Sequence, residues 1–184
     1  GLQAAKDAGF TRIKINMVPM VGVNDIDLDA MVHFCMENDF VLRLIEAMPM
    51  GHTGRETQGL SLTDLTWELQ QKYGLIPSEA KLGGGPARYW ISPDSGFTLG
   101  LITPMSQHFC AACNRVRLTA DGHLKLCLHY DHGLDLRSLL RSGSDDAQLQ
   151  RSIVAAIEEK PLSHSFGQPG ASHTEKHTMN SIGG

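Results

Sequence analysis

Three cysteines set the tightest constraint on this chain. Cys110 and Cys113 are separated by two alanines, and thirteen residues lie between Cys113 and Cys127. For the three sulfurs to act together the intervening chain must reverse, and Ala120-Asp121-Gly122 supplies the turn. The stretches 115–119 and 123–128 are therefore expected to pair as a β-hairpin. In a reducing compartment such spacing argues for a metal site rather than a disulfide. Thiolates select zinc or an iron–sulfur cluster. Structural zinc is closed by four ligands, so it would need a histidine such as His108, His123 or His129. A four-iron cluster on three cysteines leaves one iron open for a substrate. Spacing leaves both readings standing, with a fortuitous grouping of thiols as a third. The fourth cysteine, Cys35, falls on the apolar stripe of an expected helix and reads as a small buried hydrophobe.

Two arginines follow the first cysteine pair. In Cys113-Asn114-Arg115-Val116-Arg117-Leu118-Thr119 they stand at i and i+2, hence on one face of the expected strand. Guanidinium forks recognise phosphate bidentately, so this pair beside a metal site favours an anionic substrate such as a nucleotide. A solvated strand face with cross-strand pairs is the bland alternative, and the neighbouring thiols weigh against it.

Composition narrows the class. The chain has 184 residues, 20% of them charged, with a net charge of −4. That excludes a disordered polyelectrolyte and a basic nucleic-acid coat. No apolar run approaches the ~20 residues needed to span a bilayer, and no signal peptide is visible. Four cysteines are too sparse for a secreted disulfide scaffold. A cytoplasmic protein without nucleic-acid or membrane partners is expected.

The first residues read as the closing turns of a helix with Gly9 as its left-handed cap, without an initiator Met or an N-cap ahead of them. The chain is therefore expected to be the C-terminal part of a longer protein. Strands are expected over 10–18 and 40–48, with a helix over 27–38 between them. That order predicts parallel strands buried on both faces, with ligands at their C-terminal ends near Met17 and Met48. A turn-rich loop follows at 50–56. Ser61 with Asp64 resembles a capping box opening a helix that Gly74 ends. Gly83-Gly84-Gly85-Pro86 lacks the Lys-Ser/Thr ending of a phosphate-binding loop. Strands over 88–92 and 97–103 flank the turn Pro93-Asp94-Ser95-Gly96. Helices over about 135–141 and 145–159 close the folded part.

These residues carry a family likeness. Phe109-Cys-Ala-Ala-Cys-Asn-Arg-Val-Arg-Leu-Thr-Ala-Asp-Gly-His-Leu-Lys-Leu-Cys-Leu128 resembles the second-cluster motif of the radical-SAM GTP 3′,8-cyclases of molybdenum cofactor biosynthesis. Ile13-Lys-Ile-Asn16, Gly22-Val-Asn24 and Arg43-Leu-Ile-Glu-Ala-Met-Pro49 resemble that family's later barrel strands, and Gly183-Gly184 its terminal double glycine. The resemblance implies an α/β fold: the C-terminal part of an incomplete (βα) radical-SAM barrel, followed by an α+β extension carrying a second iron–sulfur cluster. Residues 1–55 would be the last barrel units, 56–160 the cluster- and substrate-binding extension, and 161–184 a flexible tail.

The implied reaction converts GTP to (8S)-3′,8-cyclo-7,8-dihydroguanosine 5′-triphosphate. A first [4Fe-4S] cluster, held by a Cys-x3-Cys-x2-Cys motif, cleaves S-adenosylmethionine to a 5′-deoxyadenosyl radical. That radical takes the ribose C3′ hydrogen, and the sugar radical attacks guanine C8. The second [4Fe-4S] cluster binds the guanine. Carried over by position, Cys110, Cys113 and Cys127 would hold the second cluster, and Lys14, Arg115, Val116 and Arg117 would contact GTP. Met48 would contact S-adenosylmethionine, Arg43 would lie near the active site, and the Gly183-Gly184 tail would reach into it. A homodimer is left open, and cyclic pyranopterin monophosphate synthase would act next. The Cys-x3-Cys-x2-Cys motif is absent from these 184 residues, so the implied object is a fragment that is inactive alone. The competing readings are a Cys3His zinc module that binds RNA or protein, and another radical-SAM maturase using its auxiliary cluster as an electron relay.

Overall fold

A computed structural model describes residues 1–166, and the expected glycine tail, Gly183 and Gly184 included, lies outside them. The chain forms two compact units, one from Gly1–Ala47 with Thr57–Gln107, the other from Met48–Glu56 with the residues from His108 onward. In chain order the elements begin with α1 (Leu2–Asp7), β1 (Lys14–Met17), α2 (Leu28–Asn38), β2 (Val41–Ile45) and α3 (Gly51–Glu56). There follow α4 (Leu62–Tyr73), β3 (Ile76–Ser78), β4 (Arg88–Ile91) and β5 (Thr98–Ile102). The last elements are β6 (Arg117–Leu118), β7 (His123–Lys125), β8 (Gly133–Asp135), α5 (Leu136–Arg141) and α6 (Asp146–Glu158). The class is mixed α/β. Among the described residues no helix is long and apolar enough to cross a membrane.

The first unit is built on a five-stranded sheet of order β1-β2-β5-β4-β3. Strands β1, β2 and β5 run parallel, as the strand–helix–strand pattern predicts, and β4 and β3 add on antiparallel. The β4–β5 hairpin is a local feature of the sequence. Its docking beside β2, Arg43 opposite Gly100, is a long-range pairing. Leu42, Leu44 and Leu99 are fully buried on one face. They pack with Leu28, Val32 and Cys35 of α2 and with Leu62, Leu65 and Leu69 of α4. In α4 the Ser61 side chain accepts from the Asp64 backbone N–H at 3.4 Å, and Gly74 closes the helix at φ 61°.

The expectation that both faces of the parallel strands are buried needs correction. Strand β2 alternates between buried and half-buried positions, because Lys14, Asn16 and Arg43 occupy the second face. Arg43 Nε donates to Asn16 Oδ1 at 2.8 Å across the two strands. Glycine is required opposite Arg43: a Cβ at Gly100 would come within 2.9 Å of Arg43 Cγ and of the Tyr89 ring. The expected loop at 50–56 also differs, since 51–56 is helix α3. Its glycines hid it, because they lower helix propensity. Gly54 is admitted there by contact, since a Cβ would approach the Met48 carbonyl oxygen to 2.5 Å.

The second unit carries the expected hairpin within a three-stranded antiparallel sheet, β6-β7-β8. Its turn is tied by the Thr119 hydroxyl, which accepts from the His123 N–H at 2.9 Å, and Gly122 adopts φ 84°. Helix α6 opens on a capping box between Asp145 and Gln148.

Replacing Leu44, fully buried in the first unit, by Ala should destabilise the protein by about 2–5 kcal/mol, the usual cost of a core cavity. Urea unfolding of the intact protein checks this, and a loss well below that range would mean the site collapses around the truncation.

Candidate functional site

Cys110 opens a single 3-10 turn over Cys110–Ala112, closed by the Cys113 N–H donating to the Cys110 carbonyl at 3.0 Å. The turn holds both thiols half-exposed, and Cys127, just past β7, is half-exposed as well. Arg117 pairs with Lys125 and Leu118 with Leu124. Lys160, at the end of α6, ties the same two segments together. Its ammonium donates to the Arg115 carbonyl at 2.6 Å and to the Leu126 carbonyl. The segments leading away from Cys113 and into Cys127 are thus held side by side.

Arg115 and Val116 are exposed, and Arg117 is half-exposed on the face of the strand that Arg115 shares. Directly across from Arg117, Lys125 is 1% exposed and pairs with Asp131 at 2.6 Å. A lysine ammonium is admitted to the interior only with such a partner. Three cationic side chains therefore line this hairpin beside the cysteine segments, one of them internally neutralised.

Of the histidines proposed as a fourth zinc ligand, His108 is the one that falls in a metal-type group with Cys110 among the described residues. Its Nδ1 lies 3.1 Å from Nε2 of His164, and one ligand atom from each of His108, Cys110 and His164 lies within 4.8 Å of the others. His129 is fully buried and pairs with the Ser165 hydroxyl at 2.8 Å. His123 Nε2 is buried without a hydrogen bond. Sequence reasoning singled out neither His164 nor Lys125 nor Lys160. The first sits in a Ser- and Pro-rich stretch that reads as tail, and the lysines look like ordinary solvated cations.

Met48 belongs to the same unit as the thiols and is half-buried. Lys14 and Arg43 belong to the first unit. The Lys14 ammonium donates to the Leu82 carbonyl, at the edge of the glycine loop. Partial burial, then the Arg43 and Arg12 guanidiniums, pull Lys14 below the ordinary lysine pKa. Such a concentration of positive charge suits an anion. A groove of about 470 Å³ between α2 and α4 is instead lined by Asp25, Asp29, Asp64 and Glu68 against Lys72. Four carboxylates to one ammonium disqualify it as a phosphate site.

Fold and site together define an α/β protein with a metal-type group of His108, Cys110 and His164, and with two further half-exposed thiols on the adjoining segments. Residues 40–166 match the family described as molybdenum cofactor synthesis C, and the chain belongs to that family. It is 40% identical over 174 residues to a GTP 3′,8-cyclase of Marinobacter nauticus, covering 92% of this chain and 52% of that protein. A GTP 3′,8-cyclase of Paracoccus denitrificans is 43% identical over 169 residues, 90% of this chain and 48% of its own length. GTP 3′,8-cyclase 2 of Pseudomonas aeruginosa is 41% identical over 170 residues, with 90% and 51% covered. The chain spans about half the length of these relatives.

Two outcomes test the site's physical description. Burial pushes the Cys35 thiol up to about 11, so in cofactor-free protein near pH 8 a thiol reagent should modify Cys110, Cys113 and Cys127 and spare Cys35 until unfolding. Peptide mapping reads this out, and early labelling of Cys35 would contradict it. Asp131→Ala strands the Lys125 ammonium and should cost about 3–5 kcal/mol, much of it recovered in a Lys125→Met/Asp131→Leu double variant. Additive losses in that double variant, measured by denaturant unfolding, would deny the pairing its assigned role.

Proposed function

We propose that this chain is the C-terminal half of a cytoplasmic radical-SAM GTP 3′,8-cyclase. Its part is to bind GTP and orient the guanine for closure of the C3′–C8 bond to (8S)-3′,8-cyclo-7,8-dihydroguanosine 5′-triphosphate. The parallel strands β1 and β2 would close an incomplete βα barrel, and the hairpin would belong to an extension carrying a second cluster. One observation supports this most strongly: the thiol-bearing segments are held together by Lys160 just beyond the Arg117–Lys125 pair.

The donor set fits a [4Fe-4S] cluster. Three free thiols, none deeply buried, lie on two tied segments, and no acidic side chain occurs between Phe109 and Thr119. Cys110, Cys113 and Cys127 would hold it. When bound there, such a cluster supplies an iron without a protein thiolate, able to take a ring nitrogen or oxygen of a purine.

The remaining work falls to side chains of this chain. Arg115 and Arg117 offer planar donor forks to the triphosphate, and Val116 between them offers an apolar contact. Lys14, whose pKa is lowered by partial burial and its cationic neighbours, would have its ammonium form favoured by an arriving phosphate, because negative charge stabilises the protonated form. Met48 would contact S-adenosylmethionine, whose cleavage depends on the first cluster of the intact enzyme.

Cys127→Ser in the intact enzyme should abolish cyclised product while reductive cleavage of S-adenosylmethionine stays measurable; full retention of cyclisation would overturn the cluster assignment. Arg117→Ala should weaken GTP binding by about 1.5–3 kcal/mol, the usual worth of a hydrogen bond to a charged group. Equilibrium binding measures this, and unchanged affinity would return Arg117 to a solvated strand face.

A further inference from the structure

The paired histidines beside Cys110 have no part in the function proposed above. His164 is buried at 8% exposure, whereas His108 is exposed. Their rings stand 4.6 Å apart between centroids, with Nδ1 of His108 and Nε2 of His164 separated by 3.1 Å. With Zn–N bonds of about 2.0–2.1 Å, a tetrahedral zinc holds two imidazole nitrogens about 3.3–3.4 Å apart. The observed separation is nearly that edge, and a sulfur donor lies within 4.8 Å of both.

We infer that His108, Cys110 and His164 form a site for a divalent metal of the zinc class, an alternative to the three-cysteine set that shares Cys110 with it. Two nitrogens and one thiolate match the ligand preference of zinc and cobalt, and a fourth position stays open to water or an exogenous donor. In the metal-free chain the Phe166 N–H donates to His164 Nδ1 at 3.3 Å. The His164 proton then sits on Nε2 and points at His108. Ligation through Nε2 moves that proton to Nδ1, gives up the long Phe166 contact and releases the Cys110 thiol proton. Because one thiolate serves both sets, zinc and cluster exclude one another, and zinc capture would hold the protein in a form unable to load its cluster. The exclusion rests on the cluster reading, whereas the metal site rests on the three side chains alone.

The test is a cobalt(II) titration of the intact protein, prepared free of cluster under anaerobic conditions and with the three cysteines of the proposed Cys-x3-Cys-x2-Cys motif replaced by Ser. Tetrahedral cobalt bands with a thiolate charge-transfer feature are expected, and they should be lost in Cys110→Ser. His108→Ala and His164→Gln should each weaken binding by at least the roughly 10–100-fold that loss of even an outer-sphere partner costs. Cys113→Ser and Cys127→Ser should leave it intact. Absence of cobalt binding would overturn the inference, as would binding that survives His108→Ala and disappears in Cys113→Ser or Cys127→Ser. His108 is exposed, so its variant does not depend on repacking, and circular dichroism of each metal-free variant separates misfolding from ligand loss. Iron and sulfide content after reconstitution tests the cluster reading separately: a protein that takes cobalt at this site but holds no iron or sulfide beyond one cluster's worth would end that reading and leave this site in place.

Discussion

The Lys160 ammonium, shared between the carbonyls of Arg115 and Leu126, is the contact on which the thiol site depends. The regular ladder of this hairpin is short, ending at the Arg117–Lys125 pair. Beyond it the two segments that carry the cysteines have no sheet pairing to hold them. A cation just past α6 takes over, donating to one backbone carbonyl oxygen on each segment. Capping residues at the far end of the same helix, Asp145 and Gln148, fix where that cation falls. The placement of the thiol-bearing segments is thus set by helix position as well as by the hairpin.

Charge placement follows one logic in both units. Where a cation is buried it is paired, as Lys125 is with Asp131. Where cations crowd together, as Lys14 does with Arg43 and Arg12, the local potential favours an anion. Gly100 makes room for the stem of Arg43 on the second face of the sheet. That face is polar because it carries these side chains, while the opposite face, with Leu42 and Leu44, carries the stability of the unit.

Much of this was legible in the residues. Alternating and continuous apolar runs identified β1 and β2, Ser61 and Gly74 marked both ends of α4, and Ala120-Asp121-Gly122 marked the hairpin turn. Each is a local signal, decided within a few residues. What escaped was decided at long range. No local pattern shows that β5 pairs with β2, or that Lys160 reaches Leu126 from 34 residues away. The second face of the parallel strands escaped for a related reason, since Lys14, Asn16 and Arg43 come together only once β1 and β2 are in register. His164 was hidden by polar neighbours, and its burial beside His108 and Phe166 is a tertiary fact. The cysteine spacing suggested a shared site and its chemistry, but spacing alone could not choose between zinc and iron–sulfur.

That choice is the central claim, and one measurement addresses it most directly: iron, labile sulfide and zinc analysis with an absorption spectrum on the intact, anaerobically purified enzyme, before and after GTP. Iron and sulfide are expected at the Cys110, Cys113 and Cys127 site, beyond what the proposed first cluster would supply, with a spectrum that GTP perturbs. Zinc at that site without the additional labile sulfide, and no response to GTP, would contradict it.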